Sequence, residues 1–544
     1  MSTFGLLGTI GPLPKIDYWA LLPEFVLIGG ALLLLLVSTL SVKRLPVAVY
    51  TAITGVVSVL ALAASLELWH KVSAHGAFTT IAKSLDVDGF SVAFAILACC
   101  IMIVAAVLAD GYLEREQMSG PEYHALALMA ASGAIFMAAA NDLIVIFLGL
   151  EIMSIPLYIL AGLDQRRRES GEAAIKYFVL GAFSSAIFVY GIALVYGATG
   201  STNLAEIATY LSNNVLLSNG LLLAGMALLL VGFGFKIAAV PFHMWTPDVY
   251  QGAPTPATGF MAAIAKVGGF AALLRVFFST FHTLSPQWQP LIWGVAIVTM
   301  LLGAVVGLVQ RDVKRMLAYS SINHAGFILL GLQAATAAGI AASLYYVFVY
   351  AFLVLGSFAV VALVAGRGDS HHDLDSYRGL SRRAPVLALA FTVLLLAQAG
   401  VPPTTGFLAK FYVVESVVSA HSYVLAVVAM LSGVIAAAFY LRVVFLMYGG
   451  SAEPAGDGAA HAVEDGSMVL PAAVAGSGDE LGQAVAVALA EVEEADEDLA
   501  EADRPISVPG GVQVGLFVCV AFTVVLGIWP GPLFSFVHAA GLLF

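Results

Sequence analysis

One carboxylate and three amines, Glu151, Lys236, Lys266 and Lys410, lie inside long apolar runs of a 544-residue sequence that is 60% hydrophobic. A charge at bilayer depth costs roughly 2.5–3.5 kcal/mol on insertion scales. Four such groups at similar depth suit one chemistry above others, the passing of protons between buried sites. A carboxylate near a buried amine helps it hold its proton, and withdrawing that influence lets the proton go. Lys236 is then the switchable carrier and Glu151 its modulator. Lys266 or His324 can receive the proton and Lys410 can pass it on. Tyr319, Ser320, Ser321 and Thr404 are candidates to hold water between these stations.

Plainer readings stand beside this one. A buried Glu–Lys pair can be a structural lock, and a lone lysine can snorkel to an interface. His324 suits a satisfied core histidine as well as a relay. Lys176 and Arg275 lie nearer helix ends, where surface pairing or snorkelling is expected. Glu24 sits inside the first apolar run and suits a partner contact or an interior hydrogen bond. His243 and Asp248 suit backbone capping, and His371–His372–Asp373 reads as an exposed polar loop. The Gly-Phe-Gly-Phe run at 232–235 lacks the third glycine and preceding strand of a dinucleotide site. Cys99, Cys100 and Cys519 fall inside apolar runs without metal-ligand spacing. No haem or cluster ligands are apparent.

The elements that must position these groups are membrane helices. Only 11% of residues are charged and the mean hydropathy is +0.96, a balance foreign to soluble domains. With ~20 apolar residues per crossing, about fourteen spans are expected. They lie near 20–40, 47–67, 89–109, 123–140, 142–162, 173–197, 219–245, 256–280, 290–310, 315–333, 338–366, 385–418, 422–448 and 511–530. The runs are rich in Leu, Val, Ala and Gly without two-residue alternation, which favours helices over a barrel. The first fourteen residues lack the basic start of a cleavable signal.

Lys236 and Lys266 are equidistant from Gln251, in the Pro-rich stretch 246–256. A turn there sets both lysines at similar depth on neighbouring antiparallel helices. Proline removes a backbone donor and clashes with the preceding turn, so breaks are expected near Pro241 and Pro402. The segments 235–245 and 399–410 each pair such a break with a lysine. Broken helices in corresponding halves are the pattern of inverted-repeat transporters. The fold expected is therefore an all-α polytopic membrane protein of two inverted-repeat halves.

The net charge of −12 belongs to one segment. Residues 449–510 hold fourteen acids and one arginine, which leaves 21 acids and 22 bases elsewhere. This Ala/Gly-rich segment reads as a solvated, disordered cytoplasmic loop, with a short helix near 479–503 as an alternative. With the N-terminus outside, thirteen bases fall in inside loops, among them Lys43, Arg44, Arg115, Arg166–Arg168 and Arg378. Lys15, Lys71 and Lys83 alone face outside, so both termini are expected there.

Three strings carry a family resemblance. Phe-Leu-Gly-Leu-Glu-Ile-Met-Ser-Ile-Pro (147–156) resembles the fifth-helix motif of the antiporter-like membrane subunits of respiratory complex I. Residues 236–256, from Lys-Ile-Ala-Ala-Val-Pro-Phe-His-Met-Trp onward, resemble their seventh-to-eighth helix signature. Lys-Arg-Met-Leu-Ala-Tyr-Ser-Ser-Ile-Asn-His-Ala-Gly (314–326) is similar to their tenth-helix signature. Within the family, Val-Pro-Pro-Thr-Thr-Gly-Phe-Leu-Ala-Lys-Phe-Tyr (401–412) is most similar to the subunit N branch of NADH-quinone oxidoreductase. The likeness runs from about 90 to 448, and the long acidic segment departs from it.

The resemblance implies a proton-translocating subunit of a bacterial inner-membrane complex. It maps Glu151 to the fifth-helix glutamate, Lys236 to its lysine partner, Lys266 to the relay lysine and Lys410 to the terminal lysine. No cofactor is implied in this chain; NADH, FMN, iron–sulfur clusters and a quinone would be used by other subunits. The expected partners are membrane and peripheral subunits of that complex, neighbouring antiporter-like subunits and lipid, but not nucleic acid. The expected organisation is N-terminal helices (1–122), a translocating core (123–448), the acidic loop (449–510) and a C-terminal helix (511–544). A multisubunit sodium/proton antiporter remains the alternative.

Overall fold

A computed structural model describes residues 16–41, 45–214, 219–449 and 506–540. The acidic segment, but for its ends, lies outside these residues, as do Lys15, Lys43 and Arg44.

Apolar sequence forces each backbone group to find a partner within its own segment, so the chain is built of helices. They run α1 (Leu22–Leu40), α2 (Val47–His75), α3 (Gly89–Arg115), α4 (Glu122–Ala139), α5 (Leu143–Ala161), α6 (Arg168–Thr199), α7 (Leu204–Asn213) and α8 (Gly220–Ile237). There follow α9 (Trp245–Gly252), α10 (Thr255–Leu274), α11 (Ser285–Leu308), α12 (Val313–Gln333) and α13 (Ala337–Val364). The last are α14 (Leu380–Arg383), α15 (Pro385–Ala399), α16 (Thr405–Ser419), α17 (Tyr423–Tyr448), α18 (Gly510–Ile528) and α19 (Gly531–Ala539). Among the described residues the one sheet is a hairpin of β1 (Phe78–Thr80) and β2 (Leu85–Val87).

Among the described residues, twelve helices are long and apolar enough to cross a membrane. The other two expected spans are also helical. One is α12, whose first turn holds Lys314 and Arg315; the other is the tandem of α15 and α16, each 15 residues long. The Pro-rich stretch after Pro241, expected as a turn, instead winds into the short helix α9.

Burial sorts the bundle. Helix α10 is enclosed on all sides, and α13 nearly so, while α1, α6 and α18 bury about a third of their span. The enclosed helices carry Lys266 and the tyrosines Tyr346 and Tyr350. Close backbone approach holds the layer that carries Glu151. A Cβ at Gly133 of α4 would lie 2.4 Å from the Met153 nitrogen of α5, and one at Gly149 would lie 2.9 Å from the Met137 nitrogen. Only glycine permits that contact, which is how small residues join membrane helices. Polar caps fix the helix starts: Asp142, Asp312, Thr336 and Thr404 each accept from a backbone N–H in the first turn of α5, α12, α13 and α16.

Candidate functional site

Both expected breaks are present, and the same backbone argument explains both. In a continuous helix the Ile237 carbonyl would accept from the N–H of residue 241, but Pro241 has none. Helix α8 ends at Ile237, and Ala238 turns into the left-handed region at φ 62°. The freed carbonyl accepts instead from Lys266 Nζ of α10, at 2.9 Å. At the second break the Ala399 carbonyl would need the N–H of Pro403, again missing. Helix α15 ends at Ala399, Gly400 takes φ 91°, and Lys410 Nζ of α16 donates to the Ala399 oxygen at 2.9 Å. Each lysine thus sits where a helix dipole presents its negative end. Both breaks also contain a cis X–Pro bond, Val240–Pro241 and Pro402–Pro403.

Lys236 is one residue from the first break and is buried. Its Nζ donates to Ser154 Oγ of α5 at 2.7 Å, and Ser154 in turn donates to the Leu150 carbonyl. Glu151 lies one turn before Ser154 on α5 and accepts from Ser185 Oγ of α6 at 2.5 Å. Ser154 thus lies against the amine and Ser185 against the carboxylate. Glu151 remains within Coulombic reach of Lys236 and is half-buried. Lys236 also faces the rings of Tyr177 and Tyr158, at 5.7 and 5.9 Å. The two serines were missed in the sequence, although Ser154 sits three residues from Glu151 and so shares its helix face.

Lys236 and Lys266 meet as the Gln251 symmetry suggests, since Lys266 binds the carbonyl of the residue following Lys236. Lys266 Nζ lies 5.5 Å from the Tyr350 ring, whose centroid is 5.3 Å from that of His324. His324 is buried and fully engaged: Nδ1 meets the Tyr346 hydroxyl at 2.8 Å and Nε2 the Tyr440 hydroxyl at 3.2 Å. Tyr440 continues to Ser320 at 2.5 Å, and Ser320 donates to Gln398 Oε1 at 3.2 Å. Gln398 donates to Ser357 at 2.7 Å, and Tyr350 donates to Ser321 at 2.8 Å. Three turns of α12 and α13 are thereby tied to α15 and α17 by side chains that both donate and accept. Lys410 closes the row, half-buried, with its amine 5.0 Å from the Phe327 ring, one turn along α12 from His324. Of the hydroxyls nominated from the sequence, Ser320 and Ser321 join this network, while Thr404 caps α16.

At one end of the core a polar cleft of about 820 Å³ opens between α6, α9, α12 and the loop after α13. Asp248 binds Lys176 and Arg315 there, each at 2.7 Å, so it is an ion-pair hub rather than a backbone cap. Lys176 is surface-paired as expected, with Glu172 as a second partner. Behind it Asp369 is buried, binding Arg167 at 2.9 Å, Lys314 at 3.2 Å and the Thr255 hydroxyl at 2.6 Å. Burial alone would raise the Asp369 pKa, but Lys314, His372, Thr255 and Arg167 outweigh it and hold the carboxyl well below the usual range. His372 is not the exposed residue expected: it lies 3.6 Å from Asp369, and burial with the Lys314 charge lowers its pKa to about 3. Arg275, expected near a surface, is buried too, donating to the Ala138 carbonyl and pairing with Asp86 and Asp88. Glu24 is buried within α1 with one carboxylate oxygen unpartnered.

Residues 140–436 match the family described as NADH:quinone oxidoreductase/Mrp antiporter, transmembrane. NADH-quinone oxidoreductase subunit N of Acidothermus cellulolyticus is 42% identical over 515 residues, covering 91% of this chain and 97% of that protein. Its counterpart in Trichlorobacter lovleyi is 45% identical over 370 residues, 68% of this chain and 76% of that protein. A chain of respiratory complex I from Thermus thermophilus with bound aureothin superposes with a TM-score of 0.73 at 29% identity, covering 95% of this chain and all of that one. A chain of the Mrp complex from Dietzia sp. superposes at 0.78 with 20% identity, over 96% and 97%, a likeness of fold. On the matched core and the identity carried across nine-tenths of its length, the chain belongs to the NADH-quinone oxidoreductase subunit N family of antiporter-like membrane proteins.

Proposed function

We propose that this chain is the proton-translocating membrane subunit N of an NADH-quinone oxidoreductase, moving protons along Glu151, Lys236, Lys266, His324 and Lys410. The observation that carries the reading is the succession of those groups through the core. Ser185 contacts Glu151 and Ser154 contacts Lys236, Lys266 binds the carbonyl of the residue after Lys236, the Tyr350 ring is near both Lys266 and His324, and Lys410 faces the Phe327 ring one turn along α12 from His324. Lys236 is the carrier and Glu151 biases its charge. The chain breaks no bond of NADH or quinone. Flavin, iron–sulfur clusters and the quinone site belong to other subunits, whose redox steps supply the driving force. The core occupies 123–448, the protein lies in the bacterial inner membrane, and the arginine-rich loops face the cytoplasm with both termini outside.

The test is Lys236→Ala in the assembled complex, reconstituted in vesicles. Assembly should persist while protons moved per NADH oxidised fall at least tenfold. Unchanged pumping in a correctly assembled variant removes Lys236 as carrier. The fold shared with the Mrp chain gives the sodium/proton antiporter reading its standing. Copurification separates the two: flavin and iron–sulfur absorbance should follow a tag on this chain, and their absence would favour the antiporter.

A further inference from the structure

A slot of about 190 Å³ opens between α13, α16 and α19. Helix α13 starts at this slot and runs into the loop that lines the polar cleft, so the two openings lie at opposite ends of the bundle. Thr336 and Ser419 stand at its lip, and Tyr345 and Tyr412 form its floor. Tyr345 meets Tyr412 edge-on at 5.2 Å, and the Phe534 ring of α19 lies 4.9 Å from Tyr412, so the floor is aromatic. Glu415 is exposed between floor and lip, without an ion-pair partner among the described residues. Tyr345 is fully buried, yet its hydroxyl has no hydrogen-bond partner among the described residues. Helical side chains lean towards the N-terminus of their helix, which turns this hydroxyl up into the slot. An unpaired buried hydroxyl is costly, and one that lines a cavity points to a guest.

We propose that this slot binds a phosphoethanolamine group, with its ammonium deep and its phosphate at the lip. The ammonium lies over the Tyr412 and Phe534 rings and donates to Glu415 and to the Tyr345 hydroxyl oxygen. It also rests against the last turn of α16, the negative end of that helix dipole. The phosphate meets the start of α13. Thr336 there caps the Gly339 N–H, while the N–H groups of Ala337 and Ala338 have no acceptor within the helix. A bare metal ion suits the slot less well, because it takes several oxygens and the slot offers one carboxylate. An anion without the ammonium would be repelled by Glu415. Two sources carry the group, the headgroup of a phosphatidylethanolamine lipid and free phosphoethanolamine in the adjoining water. Either would join α19 to α16, five residues beyond Lys410.

The test uses the whole assembled complex in phosphatidylglycerol vesicles with two probes. One is phosphatidylethanolamine with an unmodified headgroup and a photoreactive acyl chain; the other is tritiated phosphoethanolamine in the water. Photolabelling within 336–345, 412–419 or 531–540 assigns the lipid source, and saturable binding of the tritiated probe assigns the soluble one. Whichever probe binds, Glu415→Gln should lower its binding about fivefold or more, while photolabelling elsewhere on the chain stays level. Glu415 is exposed, so this variant should fold as the parent does. Tyr345→Phe keeps the ring and should lower binding about twofold. Excess phosphatidylcholine, whose quaternary headgroup has no N–H to donate, should displace neither probe. The site is overturned if neither probe binds, if either variant leaves binding unchanged, or if phosphatidylcholine competes as well as phosphatidylethanolamine. Should Tyr345→Phe fail to assemble, Glu415→Gln decides.

Discussion

The two helix breaks solve one problem with differently placed amines. Pro241 and Pro403 each strip a carbonyl of its helical donor, and a lysine replaces it at 2.9 Å. At the first break the lysine comes from α10, a separate and fully enclosed helix, and a second lysine and a carboxylate lie beside it. At the second break the lysine comes from the helix that resumes after the break, is half-buried, and has no carboxylate among its hydrogen-bond partners. A broken helix therefore does more than open a path. It creates a fixed partial negative charge that steadies an ammonium within the membrane, so that an amine can be held without an ion pair. In the proposed function Glu151 biases the amine at the first break, and among the described residues no carboxylate hydrogen-bonds the amine at the second, which suits loading at one and discharge at the other.

The widest gap between a lock and a carrier is exposed by arginine. Lys266→Arg and Lys410→Arg keep a donor for each carbonyl but cannot release a proton in the protein. Assembly and melting temperature should stay near those of the parent, while pumping falls at least tenfold for both. An arginine variant that pumps normally would reduce its lysine to a helix cap. Lys266→Met and Lys410→Met come next. Each leaves a carbonyl without a donor, a loss of about 1–3 kcal/mol where the group is buried. The loss should be larger at Ile237 than at Ala399, because the first break is enclosed and the second half-open. Equal melting shifts would contradict that ranking.

The sequence announced the lysines, the prolines and the helical spans, because each rests on a local property: a charge in an apolar run, a missing N–H, a hydropathy window. It did not announce what the lysines bind. The coincidence of Pro241 with the carbonyl four residues earlier is readable once stated, but the donor, Lys266, is 29 residues on and reaches it only through packing. Ser185, Tyr346 and Tyr440 were invisible for the same reason, since their partners lie 22 to 116 residues away. His372 looked like a solvated loop because its burial depends on Lys314 and Arg167 converging on the neighbouring Asp369 from two other places in the chain.

The hydroxyl network distinguishes the second break from the first. Tyr440 alone joins His324 to Ser320 and hence to Gln398 on α15, one residue before the capped carbonyl. Tyr440→Phe should lower pumping several-fold and leave the first break's chemistry intact. It should also leave His324 bound to Tyr346, so the ring stays in place. If pumping is unchanged, transfer between Lys266 and Lys410 does not use Tyr440.

The smallest effect concerns how each break turns. Gly400 meets its φ of 91° without steric cost, whereas Ala238 holds φ 62° against the clash of its own Cβ. That conformation costs an alanine roughly 1–2 kcal/mol relative to a right-handed one, and glycine avoids it. Ala238→Gly should therefore stabilise the assembled complex by about 1 kcal/mol, seen as a small rise in melting temperature, with the Lys266–Ile237 hydrogen bond retained. Because the turn positions Lys266 and Lys236 together, a more pliant glycine gives a second readout in the coupling ratio. A stability gain with unchanged pumping would mean that Ala238 is a steric compromise of the first break and nothing more. A stability gain with lower pumping would mean that the stiffness of an alanine at this turn holds the two lysines in register, a constraint the second break, with one lysine, does not need.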